Sequence, residues 1–272
     1  MPGQYTNVNV SRDGRHIAVS LTAGTPPNRD VWMLDAVTGT PARLTSAAAV
    51  DATPVWSPDG AAVVFSSQRA GPYQMFRRSA SAAGTDELLL PSTVATIATD
   101  WSADGRFIAY TKTSPATGLD IWILPLTGDR TPFAFLESAA ADDNAMFAPD
   151  GRALAYQSGM SGKDEVYVRA FPGRGEPLRV SPAGGTQPRW RADGRELYYL
   201  APDGSIMAVA IAPAGEGWTA GPPDALVPAT MSLVIRQAYT VTADGERLLA
   251  PVLDQTNPPV ITAVPRWTPP AR

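Results

Sequence analysis

The residues of this chain that could do chemistry are few, and most are carboxylates. Asp13, Asp59, Asp104, Asp150, Asp193 and Asp244 each precede a glycine, Asp142-Asp143-Asn144 puts three oxygen donors in a row, and Asp100 stands before Trp101. Oxygen ligands of this kind suit a hard cation such as calcium, the one metal the composition leaves open as a cofactor. A nucleophile with a base is poorly served, because His16 is the sole histidine and the nearest approach to Gly-x-Ser-x-Gly, Gly159-Met-Ser-Gly-Lys163, lacks the last glycine. One His and no Cys leave no zinc set and no disulfide. No catalytic residue is assigned, and the residues favour a binding role over an enzymatic one.

The spacing of the six Asp-Gly pairs gives them another meaning. The aspartates fall 46, 45, 46, 43 and 51 residues apart, a period suited to a four-stranded propeller blade. Around each lies one pattern, seen in Trp56-Ser-Pro-Asp-Gly-Ala-Ala-Val-Val-Phe65, Trp101-Ser-Ala-Asp-Gly-Arg-Phe-Ile-Ala-Tyr110 and Phe147-Ala-Pro-Asp-Gly-Arg-Ala-Leu-Ala-Tyr156. A large apolar residue ends one strand, Asp-Gly reverses the chain, and an alternating apolar run begins the next. Each aspartate is then a turn residue satisfied locally rather than a member of a carboxylate ring.

Third strands follow at Asp30-Val-Trp-Met-Leu34, Tyr73–Phe76, Asp120–Leu124, Glu165–Val168 and Ser205–Val209, and fourth strands at Ala42–Thr45, Glu87–Leu90, Pro132–Phe135 and Leu178–Ser181. Trp32, Trp122 and Tyr167 recur at one place in the third strand, where blade-to-blade contacts need large side chains. The expected fold is all-β: a six-bladed β-propeller of four-stranded antiparallel blades. A single domain over 1–272 divides into blades at roughly 4–46, 50–91, 95–137, 141–182, 185–229 and 235–268. The last is expected to be incomplete, with strands near Gln237–Val241, Arg247–Val252 and Val260–Trp267 and two prolines after them. An open blade edge of that kind invites self-association.

The 27 Pro and 23 Gly among 272 residues suit many short strands joined by turns. A net charge of −4 argues against nucleic acid or an anionic membrane as partner. No run approaches a spanning helix and the start carries no export signal, so the chain as written is expected to be soluble, without direct membrane insertion. Its compartment is left undefined, and would be extracytoplasmic if the chain is part of a membrane-anchored protein.

The Trp-Ser-Pro-Asp-Gly repeats resemble those of TolB-like propellers. Asp120-Ile-Trp-Ile-Leu-Pro-Leu-Thr-Gly-Asp129, Asp164-Glu-Val-Tyr-Val-Arg-Ala-Phe-Pro-Gly173, Gly184-Gly-Thr-Gln-Pro-Arg-Trp190 and Trp267 further resemble the propeller that follows the kinase domain of bacterial serine/threonine protein kinases. That resemblance implies a sensory or interaction module. None of the kinase's own motifs is present.

Propellers gather one loop from every blade where the chain reaches the innermost strands. The expected ligand-binding residues at that channel mouth are Asn7, Asn9, Asp100, Asp143, Asn144, Gln187 and Arg189, with the Arg69 and Lys163 loops as a rim. Acids, amides and one guanidinium suit a protein, peptide or polar small molecule. The expected function is a non-catalytic sensor or scaffold module. The alternative is a calcium-dependent hydrolase or lyase using the central channel.

Overall fold

The computed structural model describes residues 4–81, 84–173, 175–215, 217–227, 238–242, 245, 247–252 and 260–265. Its strands form six antiparallel sheets in chain order, with no helix among the described residues. The first holds β1 (Gln4–Val10), β2 (His16–Ala23), β3 (Asn28–Asp35) and β4 (Pro41–Arg43). The second holds β5 (Asp51–Trp56), β6 (Ala62–Ser67), β7 (Gln74–Ser79) and β8 (Glu87–Leu88), and the third β9 (Thr96–Trp101), β10 (Phe107–Ser114), β11 (Gly118–Pro125) and β12 (Phe133–Leu136). The fourth contains β13 (Asp142–Phe147), β14 (Ala153–Ser158), β15 (Glu165–Ala170) and β16 (Leu178–Arg179). In the fifth, β17 (Thr186–Trp190), β18 (Glu196–Leu200) and β19 (Ile206–Ala214) are followed by β20 (Gly217–Ala220) and β21 (Asp224–Val227). The sixth has β22 (Thr240–Val241), β23 (Arg247–Val252) and β24 (Val260–Pro265).

The repeated turn builds each inner hairpin. Gly14, Gly60, Gly105, Gly151, Gly194 and Gly245 all sit between φ 70° and 75°, the left-handed region that a Cβ resists. In the first three turns the serine hydroxyl donates to the Asp carboxylate and accepts the amide that opens the next strand, as Ser57 does with Asp59 at 2.5 Å and Ala62 at 2.9 Å. The Ser57 hydroxyl, with the Ala61 amide behind it, holds the Asp59 carboxyl below the usual range. Asp13, Asp104, Asp150 and Asp193 likewise accept the amide two residues on. Asp244, Gln237 and Trp267 lie outside the described residues.

Strand alternation then sends successive side chains to opposite neighbours. On β10, Ile108 and Tyr110 pack against the second sheet while Ala109 joins Ala145, Phe147 and Tyr156 of the fourth. Six apolar clusters result, each lying between one pair of neighbouring sheets. The cluster that closes the ring sets Leu249 of β23 against Tyr5, Val8, Val19 and Leu21 of the first sheet. The fold is an all-β propeller with a blade at each sheet.

Two details differ from the expectation. The outermost strands are shorter, down to Glu87–Leu88 and Leu178–Arg179, because a lone edge strand keeps its ladder only where a partner carbonyl is aligned. The fifth sheet has an extra strand: β19 runs on past Val209 and its last residues pair with β20, while β21 takes the usual outer place beside Ile206–Ala208. This hairpin accounts for the 51-residue interval and lays Trp218 against Trp190, ring centres 6.2 Å apart.

A valine at Gly105 must adopt φ near 75° although the site is uncrowded, its nearest neighbour being Pro58 at 3.7 Å. Gly105→Val is therefore expected to lose about 1–3 kcal/mol of stability from backbone strain alone. Urea unfolding monitored by tryptophan fluorescence measures this.

Candidate ligand site at the propeller axis

The innermost strands converge on the axis, and the residue just before each terminal apolar residue comes from every blade in turn: Asn9, Val55, Asp100, Met146, Arg189 and Thr240. All six line one cavity of about 320 Å³. Trp56, Trp101, Phe147 and Trp190 wall it, and Ser11, Arg12, Pro149, Ala192 and Thr242 from the hairpin turns surround its mouth. The cavity thus lies at the turn end of the innermost strands, not at the end where the chain reaches them.

Asn9, Asp100 and Arg189 stand on alternate blades, and each is tied to the next blade. The Trp56 amide donates to Asn9 Oδ1 at 3.1 Å, and the Phe147 amide donates to Asp100 Oδ2 at 2.8 Å. Arg189 Nε donates to the Tyr239 carbonyl at 3.2 Å, its Nη1 donates to the Pro188 carbonyl at 2.8 Å, and its guanidinium lies 5.6 Å from the Tyr239 ring centre. Asp100 is ringed by protein yet turns part of its surface to the cavity. Burial pushes its carboxyl up to about 6, against the pull of the Phe147 and Trp101 amides and the charges of Arg12 and Arg189. Burial in the same way draws the Arg189 guanidinium down, opposed by Tyr239 and Asp100.

The seven sequence-derived residues therefore divide. Asn9, Asp100 and Arg189 meet in the cavity, while Asn7, Asp143, Asn144 and Gln187 are buried further back along their strands and do not line it. Three of those four, Asn7, Asn144 and Gln187, share with Thr53 a left-handed backbone at φ 50–55°, where each innermost strand carries a β-bulge. Their polar groups reach sideways. Thr111 donates to Asp143, Asn144 Nδ2 donates to Gln157 at 3.1 Å, the Thr53 amide donates to Ser20 at 3.1 Å, and the Ala238 amide donates to Gln187 at 2.7 Å. Apart from the Asn144–Gln157 bond, which lies within the fourth sheet, these contacts form a buried girdle joining blade to blade.

The two rim loops are also tied down: Arg69 pairs with Asp51 and Asp86 and covers the Phe76 ring at 4.5 Å, and Lys163 donates to the Pro182 carbonyl at 2.9 Å. His16 is exposed on β2, 5.9 Å from the Trp56 ring. Sequence reasoning missed Arg12, Trp56, Trp101 and Met146. Position relative to the Asp-Gly turn would have found them: Trp56 and Trp101 both stand three residues before the turn aspartate, Met146 four before it as Asn9 and Asp100 do, and Arg12 directly before it. Among the described residues no three His, Cys, Asp or Glu side chains gather as a metal cluster.

Residues 1–118 match the family model described as the TolB beta propeller domain. A solved structure described as TolB from Agrobacterium tumefaciens is similar with a TM-score of 0.68 at 18% identity, covering 85% of each chain. TolB from Acinetobacter baumannii gives 0.71 at 16% identity, over 97% of this chain and 61% of that one. An oligogalacturonate lyase from Vibrio parahaemolyticus gives 0.59 at 13% identity, over 96% and 89%. No curated protein matches the chain in sequence. The fold is that of a TolB-like β-propeller, and the likenesses establish architecture. No helix of the described residues is long and apolar enough to cross a membrane.

The raised Asp100 carboxyl carries a sign. Because the folded chain holds this proton up to about pH 6 while the unfolded chain releases it near 4, stability falls as pH rises through that interval and stays lower above it. Asp100→Asn keeps an acceptor for the Phe147 amide without the charge. It is expected to exceed the natural chain in stability by about 1–3 kcal/mol at pH 8, with the gap closing at pH 4. Urea titrations at the two pH values give the comparison.

Proposed function

We propose that this chain is a non-catalytic binding module, a sensor or scaffold, whose ligand is a peptide or polar small molecule held in the axial cavity. The observation that carries the reading is the convergence of Asn9, Asp100 and Arg189, one from every second blade, between the walls of Trp56, Trp101 and Trp190. An ionisable carboxylate kept where burial opposes its charge is a cost the fold alone does not require, and such costs concentrate where ligands bind. Asp100 offers an acceptor, Arg12 and Arg189 offer cationic donors, and Asn9 offers both. Apolar walls with a few convergent polar groups are how small ligands are gripped. A cavity of about 320 Å³ accepts a small molecule or a few residues of extended peptide, not a folded domain.

The TolB-like architecture supports a binding role. The finer placement, beside a bacterial kinase and outside the cytoplasm, rests on the motif resemblance around Asp120–Asp129, Asp164–Gly173 and Gly184–Trp190.

Calorimetric titration with peptides, muropeptides and oligosaccharides tests the proposal, with quenching of cavity tryptophan fluorescence as a second readout. Arg12 is exposed at the mouth, so Arg12→Ala is expected to weaken a ligand bound there at least about tenfold, the worth of one charge-assisted hydrogen bond. A ligand whose affinity ignores both Arg12→Ala and Asp100→Asn binds elsewhere and counts against the assignment. One observation favours the second reading, a hydrolase or lyase: a carboxyl with a pKa near 6 in a channel is suited to general-base work. Saturable, heat-sensitive turnover of a lactone, ester or uronate panel that Asp100→Asn abolishes would establish that reading instead.

A further inference from the structure

Where the third strand of one blade packs against the innermost strand of the next, the repeat brings two fixed positions together. Between the first and second blades they are Asp30 on β3 and Asp51 on β5, both buried, and Asp51 acts electrostatically on Asp30. Two arginines balance them: Arg43 pairs with Asp30 at 2.7 Å and Arg69 with Asp51 at 3.1 Å. Between the second and third blades the same positions hold the uncharged Gln74 and Thr96. Between the fourth and fifth they hold Glu165, flanked by Lys163 at 3.6 Å and Arg179 at 3.8 Å, and Gly185.

The junction of the third and fourth blades breaks the rule. Asp120 on β11 and Asp142 on β13 are 1% and 0% exposed, and Asp120 raises the cost of ionising Asp142. Both arginine positions are apolar here. Strand register pairs Trp32 with Arg43 in the first sheet and Trp122 with Ala134 in the third. Likewise Asp51 pairs with Ser67, two residues before Arg69, whereas Asp142 pairs with Ser158, two residues before Met160, which is 44% exposed. Lys112, the cross-strand neighbour of Asp120, holds its ammonium 3.9 Å from the Trp122 ring centre and forms no ion pair with either carboxylate.

What remains is a set of oxygens. Thr117 donates to Asp120 Oδ2 at 2.6 Å and Ser138 to Asp142 Oδ2 at 2.7 Å, with the Ser158 hydroxyl beside it. Asp120 Oδ1, Asp142 Oδ1 and the nearby Tyr156 hydroxyl are buried without a hydrogen-bond partner. Two buried carboxylates facing one another are strongly unfavourable unless something positive lies between them. Among the described residues, wherever else acids occupy these positions the chain supplies that charge itself.

We propose that the blade 3–blade 4 junction is a calcium site, in which one ion held by Asp120 and Asp142 replaces the two arginines of the blade 1–blade 2 junction. Two carboxylates neutralise a divalent cation as two guanidiniums neutralise two carboxylates. Hydroxyl and carboxylate oxygens in irregular array suit calcium better than magnesium, which demands a near-ideal octahedron. The site lies off the axis and is independent of the ligand cavity.

The test uses the full chain stripped with a chelator and titrated with calcium chloride by calorimetry and by thermal melting. One calcium per chain is expected, with a rise in melting temperature of roughly 5 °C at saturation. Asp142→Asn and Met160→Arg should both abolish that response. Met160→Arg sits at an exposed position and supplies the missing cation, so it should also raise the melting temperature of the stripped protein. A stripped chain indifferent to calcium between pH 6 and 8 would mean that the two acids share a proton, and would overturn the proposal. So would a calcium response that persists in both variants, or one that is lost in Asp100→Asn while Asp142→Asn retains it.

Discussion

Neighbouring blades share only isolated backbone hydrogen bonds, such as the Thr96 amide to the Tyr73 carbonyl and the Gly185 amide to the Asp164 carbonyl, so most polar groups that meet near the axis must be satisfied by side chains reaching across. In this molecule that constraint falls on a few positions of the innermost strands. Asn9 and Asp100 accept the amide of the next blade's terminal aromatic residue, Arg189 donates to the carbonyl of Tyr239, and Gln187 accepts the amide of Ala238. The bulged residues Asn7, Thr53, Asn144 and Gln187 adopt a left-handed backbone that costs each of them about a kilocalorie per mole. They do so where the girdle of polar contacts runs from blade to blade. Apolar clusters supply the adhesion between sheets, and these side chains decide how one sheet is oriented on the next.

The same positions are the ones the cavity exposes, which is why binding and architecture are hard to separate here. Asp100 holds the Phe147 amide and at the same time presents a strained charge to the opening. Arg189 braces the fifth blade against the sixth and also lines the site. A ligand that compensates either charge would tighten the ring as it binds, so occupancy and rigidity are coupled through one set of atoms.

The fold was legible because its signal is repetitive and local: Asp-Gly demands a reversal, alternating apolar residues demand a two-faced strand, and the interval sets the blade. The recurring Trp32, Trp122 and Tyr167 pack against the apolar clusters between blades as their position implied. The extra hairpin of β19 and β20 was less legible, since Ala210–Ala214 carries no turn signal before Gly215. For the site, composition pointed to polar residues along the innermost strands. It could not say which of them face open space, because that depends on the sizes of six side chains from six distant stretches. Asp143 and Asn144 look like ligands in sequence; their partners Thr111 and Gln157 come from strands paired or packed beside them only in the folded ring.

The first and sixth sheets take their described strands from opposite ends of the sequence and meet through Leu249 against Tyr5, Val8, Val19 and Leu21, without a shared ladder among the described residues. Such a closure works as a dry clasp. Parting the two sheets would wet apolar faces while leaving the hydrogen-bonded ladder of each blade intact. A force or partner that spreads the blades at this junction works against apolar contact rather than against a ladder.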